Sequence, residues 1–213
     1  MNAEGLIHLD RQRLPEAVAV LCRAFDDDPH VRYLFPEEAK RSKGLVWLMT
    51  GIVRMGFLYG EVHATEAMDG VAVWLAPGYP KVGLKQSIRT GWWSAPFVLG
   101  LSGMMRLSGF AVLERSKDRH MKAPHWFLSA IGVLPEKQGE GIASRLIRPM
   151  LPRADAEGMP CYLDSSKEGN VAIYRRYGFE VTEQIQIGKD GPPGWTMTRP
   201  GVPGPPPPYS GED

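Results

Sequence analysis

The chain has 213 residues, 43% of them hydrophobic and 23% charged, enough to bury a sizeable core and ordinary for a soluble globular protein. Its formal net charge of +1 sets 25 Lys and Arg against 24 Asp and Glu, a balance that gives no electrostatic case for a nucleic-acid partner. The two cysteines, Cys22 and Cys161, lack CxxC spacing, which argues against a disulfide framework or a zinc site and fits a reducing cytoplasm.

The opening run, MNAEGLIHLDRQRLPEA, has no apolar stretch of signal-peptide length. Residues 14–25, LPEAVAVLCRAF, space Val18, Leu21 and Phe25 at helical intervals, with Pro15 in the first turn. Residues 25–36 read as a turn-rich loop in which Asp26, Asp27 and Asp28 are turn and cap residues rather than a metal cluster. A second amphipathic helix is expected over 39–59. Residues 60–78 read as two strands around a turn at Asp69-Gly70. Residues 79–118 show helical spacing and no motif, and a variable region that sets substrate choice is expected there. Its most apolar part, 91–110, is interrupted by Pro96, Arg106 and three glycines. A bilayer span needs about 20 clean apolar residues, so this part reads as a buried or lid-like segment.

A strand over 125–133 comes next, followed by PEKQGEGIASRL at 135–146. Beyond Gly139, a helical stripe of Ile142, Leu146, Ile147, Met150, Leu151 and Ala154 meets Pro149 and Pro152, where a kink or an early end is expected. Residues 159–166 read as a strand. Residues 170–179 read as a short helix closed by Gly178 in the left-handed region. Residues 179–187 and 194–199 form a closing strand pair. The tail 200–213, PGVPGPPPPYSGED, cannot pack a core and reads as extended or disordered.

The order strand, QGEGIA, helix leaves first-turn amides without intrahelical partners. With the helix dipole, such amides favour an anion by about 0.3–1 kcal/mol. Gly139 and Gly141 carry no Cβ, so a phosphate can come close. The alternative is a tight glycine turn with no ligand. A Walker loop is absent, and a dinucleotide fingerprint would need glycine where Ser144 stands.

Gln138-Gly139-Glu140-Gly141-Ile142-Ala143 matches the Gln/Arg-x-x-Gly-x-Gly/Ala signature of the GNAT N-acetyltransferases, with alanine where most members have glycine. Asn170 and Tyr174, in NVAIYRRYGF, resemble the second GNAT motif. The resemblance is specific over 124–199, moderate over 14–78 and weak between 79 and 118. Within the superfamily, these stretches and GWTMTR look most like puromycin N-acetyltransferase and its relatives. LDSS at 163–166 departs from the acidic residue and Thr that are commoner after that strand.

The resemblance implies an α/β (α+β) GNAT fold: a mixed, mostly antiparallel sheet flanked by helices, with splayed parallel strands in the middle. One domain would cover 1–199, with 79–118 as an acceptor-side insert. The implied activity moves acetyl from acetyl-CoA, as co-substrate, to a primary amine of a small molecule by direct attack. The pyrophosphate would sit on the amides of Gln138, Gly139, Glu140, Gly141, Ile142, Ala143 and Ser144. The pantetheine arm would lie between Ile131, Gly132, Val133 and the strand of Tyr162–Asp164, with Asn170 on its amide. Tyr174 would protonate the departing sulfur, unless it only packs its helix; Tyr177 reads as core.

The general base stays open among His125 and Glu114, with His120, Glu61 and Glu66 behind them; a lone histidine is more often structural. Trp92, Trp93 and Trp126 line an acceptor pocket or pack the core. No metal, nucleic acid or membrane is expected as a partner, and a homodimer is left open. The competing readings are an acyl-CoA sensor without turnover and an enzyme acetylating a protein amine.

Overall fold

The structure, a computed structural model, describes residues 5–201; the tail expected to be disordered lies outside them beyond Gly201. Strand β1 (Leu6–His8) precedes α1 (Leu14–Phe25), whose first turn holds Pro15, a position with no intrahelical donor to lose. Residues 25–36 are not all loop. Asp28 accepts from the amides of His30 and Val31 at 2.9 and 3.3 Å and starts α2 (Pro29–Leu34). An aspartate cap with proline at the first helical position is a start signal that a loop reading passes over. Helix α3 (Glu38–Tyr59) follows.

Strands β2 (Gly60–Thr65) and β3 (Gly70–Leu75) form the expected hairpin, with Thr65 Oγ1 accepting from the amides of Asp69 and Gly70. Every residue of β3 is buried because both faces are covered: Ala72 and Trp74 enter one core, Val71 and Val73 the other. Helices α4 (Leu84–Thr90), α5 (Ala95–Gly109) and α6 (Ala111–His120) fill the segment of helical spacing. Of the buried or lid-like segment expected at 91–110, the buried form is not found. Helix α5 buries only Ala95 and Gly103 and packs chiefly on α2, α3 and α6, outside the layers that sandwich the sheet.

Strand β4 (Trp126–Val133) leads through the glycine turn to α7 (Ile142–Ile147) and α8 (Met150–Ala156). The break falls at Pro149, as expected, while Pro152 is tolerated in the first turn of α8. Strand β5 (Cys161–Ser165), α9 (Gly169–Arg175), β6 (Glu180–Gln186) and β7 (Pro193–Arg199) complete the chain. Gly178, after α9, has φ +81°.

The sheet order is β1-β2-β3-β4-β5-β7-β6, and only β4 and β5 run parallel. This is the mixed, mostly antiparallel architecture that the resemblance implied. The parallel pair lasts from Trp126–Cys161 to Leu128–Leu163. Beyond it, β4 pairs only with β3 and β5 only with β7. Val73 faces Ala130 while Trp74 faces Leu128, so Ser129 is an extra residue, a bulge that bends β4. A gap therefore opens between the middle strands past Leu128. Gly132 lets α1 close over β4, since a Cβ there would lie 2.7 Å from Ala24 Cβ.

Candidate active site

A cavity of about 840 Å³ occupies the gap, walled by the end of β4, the glycine turn, α7, α9 and the end of α1. Gly139 and Gly141 have φ of +84° and +77°, and a Cβ at either would meet open space. The turn thus needs glycine for its backbone and also leaves room for a ligand. Among the described residues, no amide from Gly139 to Ser144 finds an acceptor; the next donor, Arg145, bonds to the Gly141 carbonyl at 3.2 Å. Gln138 ties the turn to β4 by donating from Nε2 to the Val133 carbonyl at 3.3 Å. Glu140 does not line the cavity; its carboxylate faces Lys137 Nζ at 3.4 Å.

The sequence reading missed the charge around this cavity. Lys137, Arg148, Lys167 and Arg176 line it against one acid, Asp28. Lys167 reaches the site because its Nζ pairs with Asp27 at 2.9 Å, bridging the loops after β5 and α1. A signal existed only for Lys137 and Arg148, which flank the glycine turn.

The Leu134 amide donates to Asp69, on the β3 side. Since amides alternate along a strand, those of Val133 and Ile131 face the gap. Asn170 and Tyr174, one helical turn apart on α9, both line the cavity. Tyr174 is buried, and its hydroxyl has no partner among the described residues. Burial, then the charges of Asp164 and Asp28, hold its phenol protonated well above the ordinary range. Tyr177, expected as core, is half-buried and lines the cavity as well as packing on a core.

A second cavity of about 190 Å³ lies lower on β4, where Phe127 and Ser129 meet Tyr79, Trp92, Glu114 and Lys117. Most of its wall comes from residues 79–118. Glu114 lies here and not in the larger cavity, paired with Lys117 at 2.9 Å. His125 lines neither cavity. It is buried among Tyr79 and Tyr162, its Nδ1 2.9 Å from the Ala123 carbonyl and its Nε2 without a partner. Burial lowers its pKa, so the ring is neutral at pH 7.

Asp164, overlooked in LDSS, lines neither cavity. It is half-buried on β5, on the strand face of Tyr162, with no hydrogen-bond partner among the described residues. Burial pushes its carboxyl up to about 6; the charges of His30 and Lys117 pull it down, and those of Glu114 and Asp28 push it up.

The other candidates lie elsewhere. Trp126 is core and donates to Glu157 at 2.7 Å, while Trp93 is exposed. Glu66 is exposed beside the hairpin turn, and His120 faces Glu183 at 3.3 Å. Glu61 pairs with Arg153 and with His63, and its ligand atom lies within 4.8 Å of those of His8 and His63 at the β1–β2 edge. Both cysteines are free, and burial raises each thiol to about 11, so neither is poised as a nucleophile.

The model of the acetyltransferase (GNAT) family matches residues 68–179. An uncharacterized N-acetyltransferase of Schizosaccharomyces pombe is 30% identical over 182 residues, covering 82% of this chain and 74% of that protein. Among solved structures, a histone acetyltransferase HPA2 and related acetyltransferase from Corynebacterium glutamicum superposes with a TM-score of 0.66 at 21% identity. That match covers 93% of this chain and 97% of that one. Arylalkylamine N-acetyltransferase 2 from Aedes aegypti gives 0.59 at 11% identity, over 93% of this chain and 98% of that one.

Proposed function

The chain belongs to the acetyltransferase (GNAT) family, and from that premise we propose that it moves acetyl from acetyl-CoA to a primary amine of a small molecule by direct attack. The observation that carries this reading is the run of unpaired amides from Gly139 to Ser144, which faces the same cavity as the free hydroxyl of Tyr174. Preorganised amides at left-handed glycines suit a pyrophosphate, and the surrounding lysines and arginines suit the remaining phosphate charge.

Acetyl-CoA supplies the activated thioester. Amides that face the gap at Ile131 and Val133 hold the arm and polarise the acetyl carbonyl. An alkylamine with a pKa near 10.4 is neutral in roughly one molecule per thousand at pH 7, so removing its proton matters. Asp164 takes that proton, because it is a carboxylate without a hydrogen-bond partner among the described residues. It feels the charges of Glu114 and Lys117 at the smaller cavity and of Asp28 at the larger. Tyr174 gives a proton to the thiolate and is restored from solvent. The smaller cavity, with Tyr79, Trp92 and Glu114, holds the acceptor.

Thiol release from acetyl-CoA over a panel of amines tests the reading. Aminonucleosides and aminoacyl amines are the first to try, given the resemblance to puromycin N-acetyltransferase. Coenzyme A binding without thiol release on any amine would leave a sensor, and release with lysine peptides alone would leave a protein acetyltransferase.

A further inference from the structure

Helix α5 carries apolar side chains on its inner and its outer side, with Arg106 its one charged residue. Its inner side packs Leu99 and Leu107 against the core of α1 and α3. Its outer side presents Phe97 at 84%, Leu101 at 82% and Met105 at 69% exposure. Trp93 stands edge-on to Phe97, ring centres 6.5 Å apart, and Leu84 and Ile88 of α4 extend the surface. Among the described residues, every exposed large apolar side chain except Val46 and Ile173 lies between Val82 and Met105. The stretch Trp92–His120 is apolar enough by composition to cross a bilayer, yet only 6% of its apolar window is buried. A contiguous cluster of exposed large apolar side chains marks an interaction site.

The segment is anchored. Trp47 Nε1 donates to Ser94 Oγ at 3.0 Å, and Arg54 donates to the Thr90 carbonyl at 3.1 Å. Trp92 lies so close over Gly51 that a Cβ there would come within 1.9 Å of its ring. Phe97, Leu101 and Met105 line neither cavity. The surface is therefore a fixed ridge and not a flap over the site.

Charge selects what covers it. From Val82 to Leu113 the chain carries Lys85, Arg89 and Arg106 and no Asp or Glu. Lys85 and Arg106 make no ion pair with described residues, and Arg89 donates to the Tyr59 hydroxyl at 3.2 Å. A second copy docked by a twofold axis would set these like charges against each other. A partner helix wants a groove, and this is a ridge. An anionic bilayer surface satisfies both features, with apolar side chains at the acyl boundary, tryptophan at headgroup level and cations toward the lipid phosphates.

We propose that α4 and α5 dock the protein on an anionic membrane surface, lying in the interface with Trp93, Phe97, Leu101 and Met105 inserted. This differs from a bilayer span, which Pro96 and the kink at Gly100 oppose.

Vesicle flotation tests the proposal. Wild-type protein should float with phosphatidylcholine vesicles that contain about one third phosphatidylserine, and far less with phosphatidylcholine alone. The double variant Phe97→Glu/Leu101→Glu should lose at least about tenfold in partition. Lys85→Glu should lose about fivefold, on anionic vesicles only. These positions are exposed, so an unchanged melting temperature separates lost docking from lost folding. Three results overturn the proposal: no flotation of the wild type, equal flotation with both vesicle types, or equal flotation of wild type and double variant. A dimer in sedimentation velocity that the double variant dissolves, without flotation, overturns it in favour of a second copy.

Discussion

The side-chain amide of Gln138 donates to the backbone carbonyl of Val133 over 3.3 Å and closes the glycine turn onto the strand before it. The bond engages the Val133 carbonyl and leaves its amide free to face the gap. It also fixes where the unpaired amides of Gly139–Ser144 begin. Two halves of the proposed coenzyme A site, phosphate turn and pantetheine strand, are thereby held in one register.

Gln138→Leu keeps the bulk of the side chain and removes the donor. Stability should fall by no more than about 1 kcal/mol, the net worth of one such bond. Coenzyme A affinity should drop several-fold, because the turn is no longer held in register. Calorimetry showing full affinity would mean that the glycines hold the turn unaided.

Gly141→Val places a branched side chain in the open space over the turn and at φ +77°. Coenzyme A affinity should fall at least about tenfold, or 1.4 kcal/mol. Strain alone could mimic this, so Gly158→Val is the companion: it too has a left-handed φ, +63°, and open space around its Cβ. It should lower the melting temperature and leave affinity alone. Equal losses of affinity in both variants would reject the turn as the phosphate site.

Tyr174→Phe removes only a hydroxyl with no partner among the described residues, so folding and acetyl-CoA binding should survive. Turnover should fall about 10²-fold or more, the scale of a positioned proton donor. Tyr177→Phe, one turn away in the same cavity, should cost little. Mild and equal losses would make both tyrosines structural.

Asp164 yields a prediction with two opposed signs. Its carboxyl sits at about 6 against an ordinary 3.8, so it is ionised, and able to act as a base, only above pH 6. Activity with an arylamine acceptor, neutral across the range, should rise through pH 6 and lose that limb in Asp164→Asn. Stability runs the other way. Between about pH 4 and 6 the unfolded chain has released a proton that the folded one keeps, so this group's contribution falls as pH rises. Asp164→Asn should therefore be less active yet relatively more stable at pH 8 than at pH 4. An intact activity limb would remove Asp164 from the chemistry.

The acceptor assignment rests on the smaller cavity. Trp92→Ala and Glu114→Gln should each change the KM for the amine while leaving coenzyme A affinity as it was. The reverse pattern would put the acceptor elsewhere.

What the sequence determined by itself is local. Gln138, Gly139 and Gly141 lie within four positions, and left-handed glycines before an apolar stripe specify that turn wherever it is placed. Pro149 breaks its helix, and Asn170 and Tyr174 share a face, because backbone sterics and a period of 3.6 act over one turn. Asp28 as a cap residue was equally local and read as such, but the loop reading missed the helix α2 that it starts. The tertiary structure decided what depends on distant partners. Arg176 and Lys167 join the cavity at the glycine turn only because α9 and the loop after β5 close on that turn. Asp164 gains its raised pKa chiefly from burial, with Glu114 and Asp28 of distant segments adding to it. The same holds for α5, since Phe97 and Leu101 read as apolar in the sequence whether they face a core or solvent. Which face a helix buries is set by what packs on it, and on α5 that is α2, α3 and α6 on one side and nothing among the described residues on the other.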